Sequence, residues 1–175
     1  MCENNQKKSL KPIINKNSKI LILGSMAGDK SLETGEYYSN KANHFWEILK
    51  KIFDNNCKLE TYNSKLEFLN KYNIALWDIY KQIEREGSKD KNITSTEFND
   101  LKNLLIEYKN IKIILLNGKE TEKAFSKYLE ENDIEKFLCE NDIKYYYVLS
   151  SSGANAKNID LKVENWKNNM NINIK

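Results

Sequence analysis

Proline and histidine are almost absent from this chain, with one of each in 175 residues, and there are only six glycines and three cysteines. Each shortage excludes something. With His44 as the single imidazole and no Ser-His-Asp order in evidence, the chain is a poor candidate for hydrolysing amides or phosphodiesters. Cys2, Cys57 and Cys139 lie far apart, and no pair has metal-ligand spacing. A four-thiolate cluster is impossible within one chain, and reduced thiols fit a cytoplasm best. The polar, lysine-rich N-terminus has no apolar signal core, and no run is long enough to span a membrane. A cytoplasmic monomer without a membrane partner is expected. The net charge of +3 hints at an anionic partner only if the charges share one face.

What is present reads as one α/β domain over residues 1–175, with residues 1–17 as a loose N-terminal segment. "KILIL" (Lys19–Leu23) reads as a buried strand stopping at Gly24. A loop over Ser25–Ala42 follows, then a helix from about Asn43 with Phe45, Trp46, Leu49, Ile52 and Phe53 at helical spacing. A second helix covers Ser64–Tyr72, and "NIALW" (Asn73–Trp77) is a second strand. After a polar loop, the Thr94/Glu97 spacing predicts a capping box. It opens a helix with Phe98, Leu101, Leu104, Leu105 and Tyr108 on one stripe. "IKIILL" (Ile111–Leu116) and "KYYYVL" (Lys144–Leu149) are the third and fourth strands. Two helices lie between them, marked by Ala124, Phe125, Tyr128 and Leu129 and then by Ile134–Leu138. Val163, Trp166 and Met170 share a final helical face. Short apolar strands alternating with helices predict a three-layer α/β/α fold around a mostly parallel sheet of about four strands.

Such sheets bind ligands beyond the carboxyl ends of their strands. Four segments leave those ends: "GSMAGDKS", "DIYKQIEREGSKD", "NGKE" and "SSSGANAKN". Each has an ordinary reading. Gly24 to Gly28 is a tight turn or a phosphate cradle, without G-x-G-x-x-G or a Walker lysine-serine pair. Asn43 is an N-cap, and Tyr37 and Tyr38 are loop packing. Asp78 is a helix cap or a pocket carboxylate. Arg85, Ser88 and Asp90 are a solvated loop, Asn117-Gly118 is a turn, and Ser150–Ser152 is a serine-rich turn. The functional reading rests on their convergence.

Taken together, these segments resemble the uracil-DNA glycosylase superfamily in its hypoxanthine-DNA (deoxyinosine) glycosylase branch. "LILGSMAGDKSLETGEYYSNKANHFW" is similar to that branch's GS-x-P-x-x-S followed by YY-A-H-P-x-N-x-F-W. "ALWDIYKQIEREGSKDKNI" resembles its L-W-D with E-R-E-G-S-x-D-x-x-I, "LLNGKETEKAF" its N-G-K, and "LSSSGANA" its L-P-S-x-S-x-A-N. The likeness runs from about Lys19 to Asn158. The chain departs from it at Ala27, where the family has proline, and at Asn40-Lys41, where it has His-Pro. The last motif lacks its proline and is one residue shorter.

The resemblance implies that Asn43 is the catalytic carboxamide. It also implies that Tyr38, by analogy with mismatch-specific uracil glycosylases, stacks on a flipped base. Met26 stands where other branches carry a catalytic Asp or Asn, and an apolar residue is what this branch carries there. Ser25 and Met26 would offer backbone donors to the leaving base, Phe45 would support the pocket wall, and Asp78 and Asn117 would read the base edge. Ser151, Ser152, Gly153, Ala154, Asn155 and Lys157 would meet DNA, with Ala154 at the wedging position. The implied partner is DNA carrying a deaminated base, hypoxanthine or uracil, the implied product is an abasic site, and no metal or organic cofactor is implied. A basic mouth is expected from Lys41 and Lys157, with some of Lys81, Arg85 and Lys89. Two alternatives stand: a non-catalytic binder of DNA lesions with the same fold, and a small nucleotide-binding domain using Gly24 to Gly28.

Overall fold

The structure, a computed structural model, describes residues 6–85, 93–155 and 157–170, with the backbone alone for residue 85 and residues 93–96. Its centre is a four-stranded, all-parallel sheet in the order β3-β2-β6-β7. These strands are β2 (Ile20–Gly24), β3 (Ile74–Asp78), β6 (Ile113–Asn117) and β7 (Lys144–Val148). All five β2 residues are buried, because the two central strands are covered on both faces and side chains alternate between them. Leu21, Leu23, Ile114 and Leu116 point to one side, packing under α4 (Leu101–Glu107), α5 (Lys119–Asn132) and α6 (Glu135–Glu140). Ile20, Ile22 and Leu115 point to the other, under α2 (Phe45–Phe53), α3 (Tyr62–Lys71) and α7 (Ile159–Asn169). The three-layer architecture expected from the alternation of elements is what the chain adopts.

Three local expectations are corrected. Residues 6–17 are tied down: β1 (Gln6–Lys8) pairs antiparallel with β4 (Tyr80–Arg85), and Ile13 bridges Leu76. The helix carrying Leu101, Leu104 and Leu105 forms, but its predicted start, a Thr94/Glu97 capping box, is instead β5 (Ile93–Phe98), antiparallel to β4. "ITSTEF" carries three β-branched residues in six, and a partner strand lies alongside to accept its hydrogen bonds. The helix after it starts seven residues later than Thr94, where the Asp100 carboxylate accepts from Asn103 N (3.1 Å). Finally, the first loop is not wholly irregular, since α1 (Asp29–Thr34) interrupts it. The β1-β4-β5 sheet is thus a second, smaller sheet. Lys7 of β1 contacts Asp29 of α1, which joins this sheet to the first loop.

Candidate active site

Strand register brings the predicted loops together. Gly24 lies beside Asp78, and Asn117 lies level with Val148, so the chain leaves four adjacent strand ends on one edge of the sheet. Between the emerging loops is a pocket of about 350 Å³. Ser25 and Met26 line it from the first loop, and Tyr38 and Asn43 from the segment after α1. Asp78, Asn117, Ser151 and Ser152 complete its wall from the other strand ends. Side chains crowd the end of β2: a Cβ on Gly24 would stand 2.8 Å from Asp78 Oδ1, so only glycine lets β2 pass this carboxylate undisturbed.

The Phe45-Trp46 pair is the foundation for the two tyrosines. Phe45 is fully buried and stacks on Tyr38, with ring centroids 3.7 Å apart and planes 8° from parallel. Trp46 Nε1 donates to the Tyr37 carbonyl (3.3 Å), and Tyr37 N donates to the Tyr62 hydroxyl (3.1 Å). Held from both sides, Tyr38 adopts a left-handed backbone (φ 54°), a conformation that costs a non-glycine residue energy. Phe45 does not line the pocket and so cannot meet a base directly; it backs the wall from behind Tyr38. Burial, with a further push from the Asp78 carboxylate, raises the Tyr38 phenol well above its usual range, so it stays neutral.

Asn43 sits where a turn becomes a helix. Asn40 Oδ1 accepts from Ala42 N (2.9 Å) and Asn40 O from Asn43 N (2.9 Å), forming an Asx turn. Asn43 Oδ1 then accepts from Phe45 N at the start of α2 (3.0 Å). The N-cap position of α2 itself falls to His44, which makes no side-chain cap bond, so Asn43 is not the cap expected but an acceptor one residue earlier. A carboxamide oxygen has two lone pairs, and this bond uses one. Among the described residues, Asn43 Nδ2 has no recorded partner.

Asp78 is buried at the pocket floor, where its Oδ2 accepts from Ala27 N (3.1 Å). Asn117 is more committed than its sequence suggests. Its Nδ2 donates both to the Tyr38 hydroxyl (3.1 Å) and to Ser151 Oγ (2.9 Å), while its Oδ1 accepts from Ser151 N (2.9 Å). One carboxamide thus joins the end of β6, the stacked tyrosine and the last motif, leaving one oxygen lone pair unspent.

A family model described as "Uracil DNA glycosylase superfamily" matches residues 12–172. The chain is 33% identical to a hypoxanthine DNA glycosylase of Methanosarcina barkeri and 30% identical to one of Methanosarcina acetivorans. Each match covers 92% of this chain and 96% of the relative. A solution NMR structure of a candidate uracil DNA glycosylase from Methanosarcina acetivorans superposes with a TM-score of 0.72 at 31% identity. That match covers 91% of this chain and 94% of the other.

The chain belongs to the uracil DNA glycosylase superfamily, in its hypoxanthine branch.

Against that superfamily's motifs, the departures acquire physical content. Ala27 lacks proline's rigidity but has the N–H that Asp78 holds, a bond a proline could not make. Asn40 supplies by its Asx turn a constraint that His-Pro would supply by ring geometry. The last motif, without its proline, is built from side-chain-to-backbone bonds: Ser150 Oγ accepts from Ser152 N and Ser152 Oγ from Ala154 N (both 3.2 Å). Asn155 adds Nδ2 to Ser150 O (3.3 Å) and Oδ1 from Lys157 N (3.1 Å).

Of the residues expected to meet DNA, Ser151 and Ser152 line the pocket, whereas Gly153, Ala154, Asn155 and Lys157 continue the turn beside it. Ala154 and Lys157 are exposed, as is Lys41. Lys81 pairs with Glu97 (2.6 Å). Ser88, Lys89 and Asp90 lie outside the described residues, as does the side chain of Arg85. Among the described residues, no three His, Cys, Asp or Glu side chains gather into a metal-binding set, and no helix is long and apolar enough to cross a membrane.

Sequence reasoning missed Lys162 of α7, which is completely buried. Its Nζ donates to Ser152 O (3.0 Å) and lies 3.3 Å from His44 Nδ1. The signal was available: Lys162 falls between Ile159 and Trp166 on the buried stripe of α7, where a charged residue is out of place.

Proposed function

We propose that this superfamily member is a monofunctional DNA glycosylase that extrudes a deaminated base, hypoxanthine or uracil, and hydrolyses its bond to the sugar. The observation that carries the reading is the single pocket into which Tyr38, backed by Phe45, and Asn43, with its unused lone pair and amide protons, both face. A base must leave the stack before its glycosidic bond is reached, and a mispaired base costs least to extrude. The face of Tyr38 turned away from Phe45 is the surface on which the flipped ring stacks.

Discrimination follows from proton placement. Hypoxanthine and uracil each carry an N–H beside a carbonyl, whereas adenine and cytosine present a bare ring nitrogen at that edge. Asp78 and the remaining lone pair of Asn117 Oδ1 are acceptors, so they accept the N–H of a deaminated base and repel the lone pair of its parent.

In the reaction the C1′–N bond breaks and its electron pair leaves with the base. Positive charge grows on the sugar, a water oxygen bonds to C1′, and that water's proton passes through solvent to the base anion, leaving a C1′ hydroxyl and a neutral base. Asn43 is not basic at neutral pH, and it acts by orienting the water on the sugar side. The backbone of Ser25 and Met26 is the candidate donor set for the base anion, where one fixed donor can be worth two to three orders of magnitude in rate.

The test is a panel of duplex and single-stranded oligonucleotides, each with one altered base, treated with protein and then alkali. Strand breaks at hypoxanthine or uracil are the expected result. A shifted band on a gel without alkali-labile sites would instead mark a lesion-binding protein of the same fold.

A further inference from the structure

A completely buried lysine needs a reason, because burying an ammonium is costly unless its protons are satisfied. Among the described residues, no carboxylate lies within ion-pair distance of Lys162 Nζ. Its recorded partners are instead the Ser152 carbonyl and His44 Nδ1. These two belong to the two loops that the site requires, namely the last motif and the segment carrying Asn43.

The same loops touch at two further points. His44 N donates to Ser151 O (2.9 Å). Gly153 lies so close that a Cβ there would stand 2.2 Å from Ala42 O. Lys162 thus closes from beneath a seam between residues 42–44 and 151–153, with α7 as the rigid base.

We propose that Lys162 is a positioning residue for base excision: by donating to Ser152 O and to His44 Nδ1 it locks the two loops together and holds Asn43 at the pocket wall. The proposal rests on the glycosylase reading. It also fixes the imidazole chemistry. An ammonium only donates, so Nδ1 of His44 must accept and the ring proton resides on Nε2. Desolvation lowers the lysine below its ordinary range, which agrees with an ammonium lacking a carboxylate partner. A lysine retained only for stability would be a poor choice here, because an apolar chain of similar length fills the same space without that cost.

The chain's single histidine makes the first test unambiguous. A long-range nitrogen–proton NMR spectrum of the wild type should show one neutral imidazole with its proton on Nε2, and a proton on Nδ1 would overturn the proposal outright. Lys162→Met should melt no lower than the wild type, yet release base about ten-fold more slowly, or worse, at saturating enzyme in single turnover. The Asn43 side-chain amide signals should also move. A variant that excises at the wild-type rate, or leaves those signals in place, would overturn the assignment. His44→Phe should cause a similar loss, and the double variant should lose little more than either alone, whereas additive losses would argue for two independent roles. Were the wild type to release no base at all, the excision reading would fall, while the imidazole and Asn43 spectra would still decide whether Lys162 pins the seam.

Discussion

Replacing Asn43 separates its bond at the helix entry from the proposed role in orienting water, because the two carry different magnitudes. At the helix entry, one residue before the His44 N-cap, its Oδ1 satisfies one orphan N–H, that of Phe45. Losing such a bond in Asn43→Ala costs about 1 kcal/mol, which for a chain of this length lowers the melting temperature by about 2–4 °C. Against a total stability of about 5–15 kcal/mol, the protein remains folded at assay temperature. In the proposed role of orienting water, Asn43 would contribute to the barrier itself. Misplacing the nucleophile is worth about 100-fold, or about 2.7 kcal/mol in the activation free energy. Asn43→Ser tests the partition, since a serine oxygen can accept the same helix-entry N–H but is too short to reach the water. It should recover most of the lost melting temperature and little of the lost rate. Asn43→Asp keeps an acceptor at full reach and adds negative charge at a helix N-terminus, so it should melt no lower than the wild type and retain part of the activity. Single-turnover base release, measured beside thermal melts and duplex binding, provides the readout. Excision by folded Asn43→Ala at the wild-type rate would refute the catalytic role and leave the residue an acceptor at the helix entry.

Other perturbations bear on the same pocket. Tyr38→Ala removes the stacking face and should weaken capture of the extruded base by about 1–3 kcal/mol in binding to a lesion duplex. Tyr38→Phe keeps the ring on Phe45 but takes away the acceptor for Asn117 Nδ2, so it should bind nearly as well and differ chiefly in the ratio of hypoxanthine to uracil release; equal damage from both changes would make the hydroxyl the working group. Gly153→Ala places a Cβ against Ala42 O and should part the two loops, lowering excision far more than a surface substitution would; wild-type kinetics would show the seam to be yielding. The logarithm of DNA affinity should fall linearly with that of salt, and Lys41→Ala and Lys157→Ala should each reduce the slope by about one if they meet phosphates. At alkaline pH, burial raises the phenols of Tyr37 and Tyr38, so the unfolded chain loses those protons first. Their contribution to stability is present below about pH 10 and lost above it, which urea midpoints followed with absorbance at 295 nm would record as a steep decline.

The sequence by itself determined the layered fold, because its short apolar strands and amphipathic helices have different periods that survive without any knowledge of partners. It also determined which loops converge, since parallel strands place all their carboxyl ends on one edge, and the Asn-His-Phe-Trp run marked Asn43. What it left open depended on neighbours distant in the chain. "TSTEF" has capping-box spacing and also strand propensity, and only the presence of β4 alongside decided for strand. The first residues read as loose because their partners, β4 and Leu76, are some 60 to 80 positions away. Phe45 read as a support for the pocket wall, but which ring it supports was set only when the left-handed backbone of Tyr38 laid one ring over the other. Asn117 read as a free base reader until Tyr38 and Ser151, from two other loops, took both its amide protons. Lys162 is the clearest case. A charge on an apolar stripe is visible in one dimension, but its meaning required the carbonyl of one loop and the imidazole of another to arrive at the same ammonium. Local patterns are set by backbone geometry and travel with the sequence, whereas hydrogen-bond partners at a site are set by which surfaces the tertiary fold brings within 3 Å.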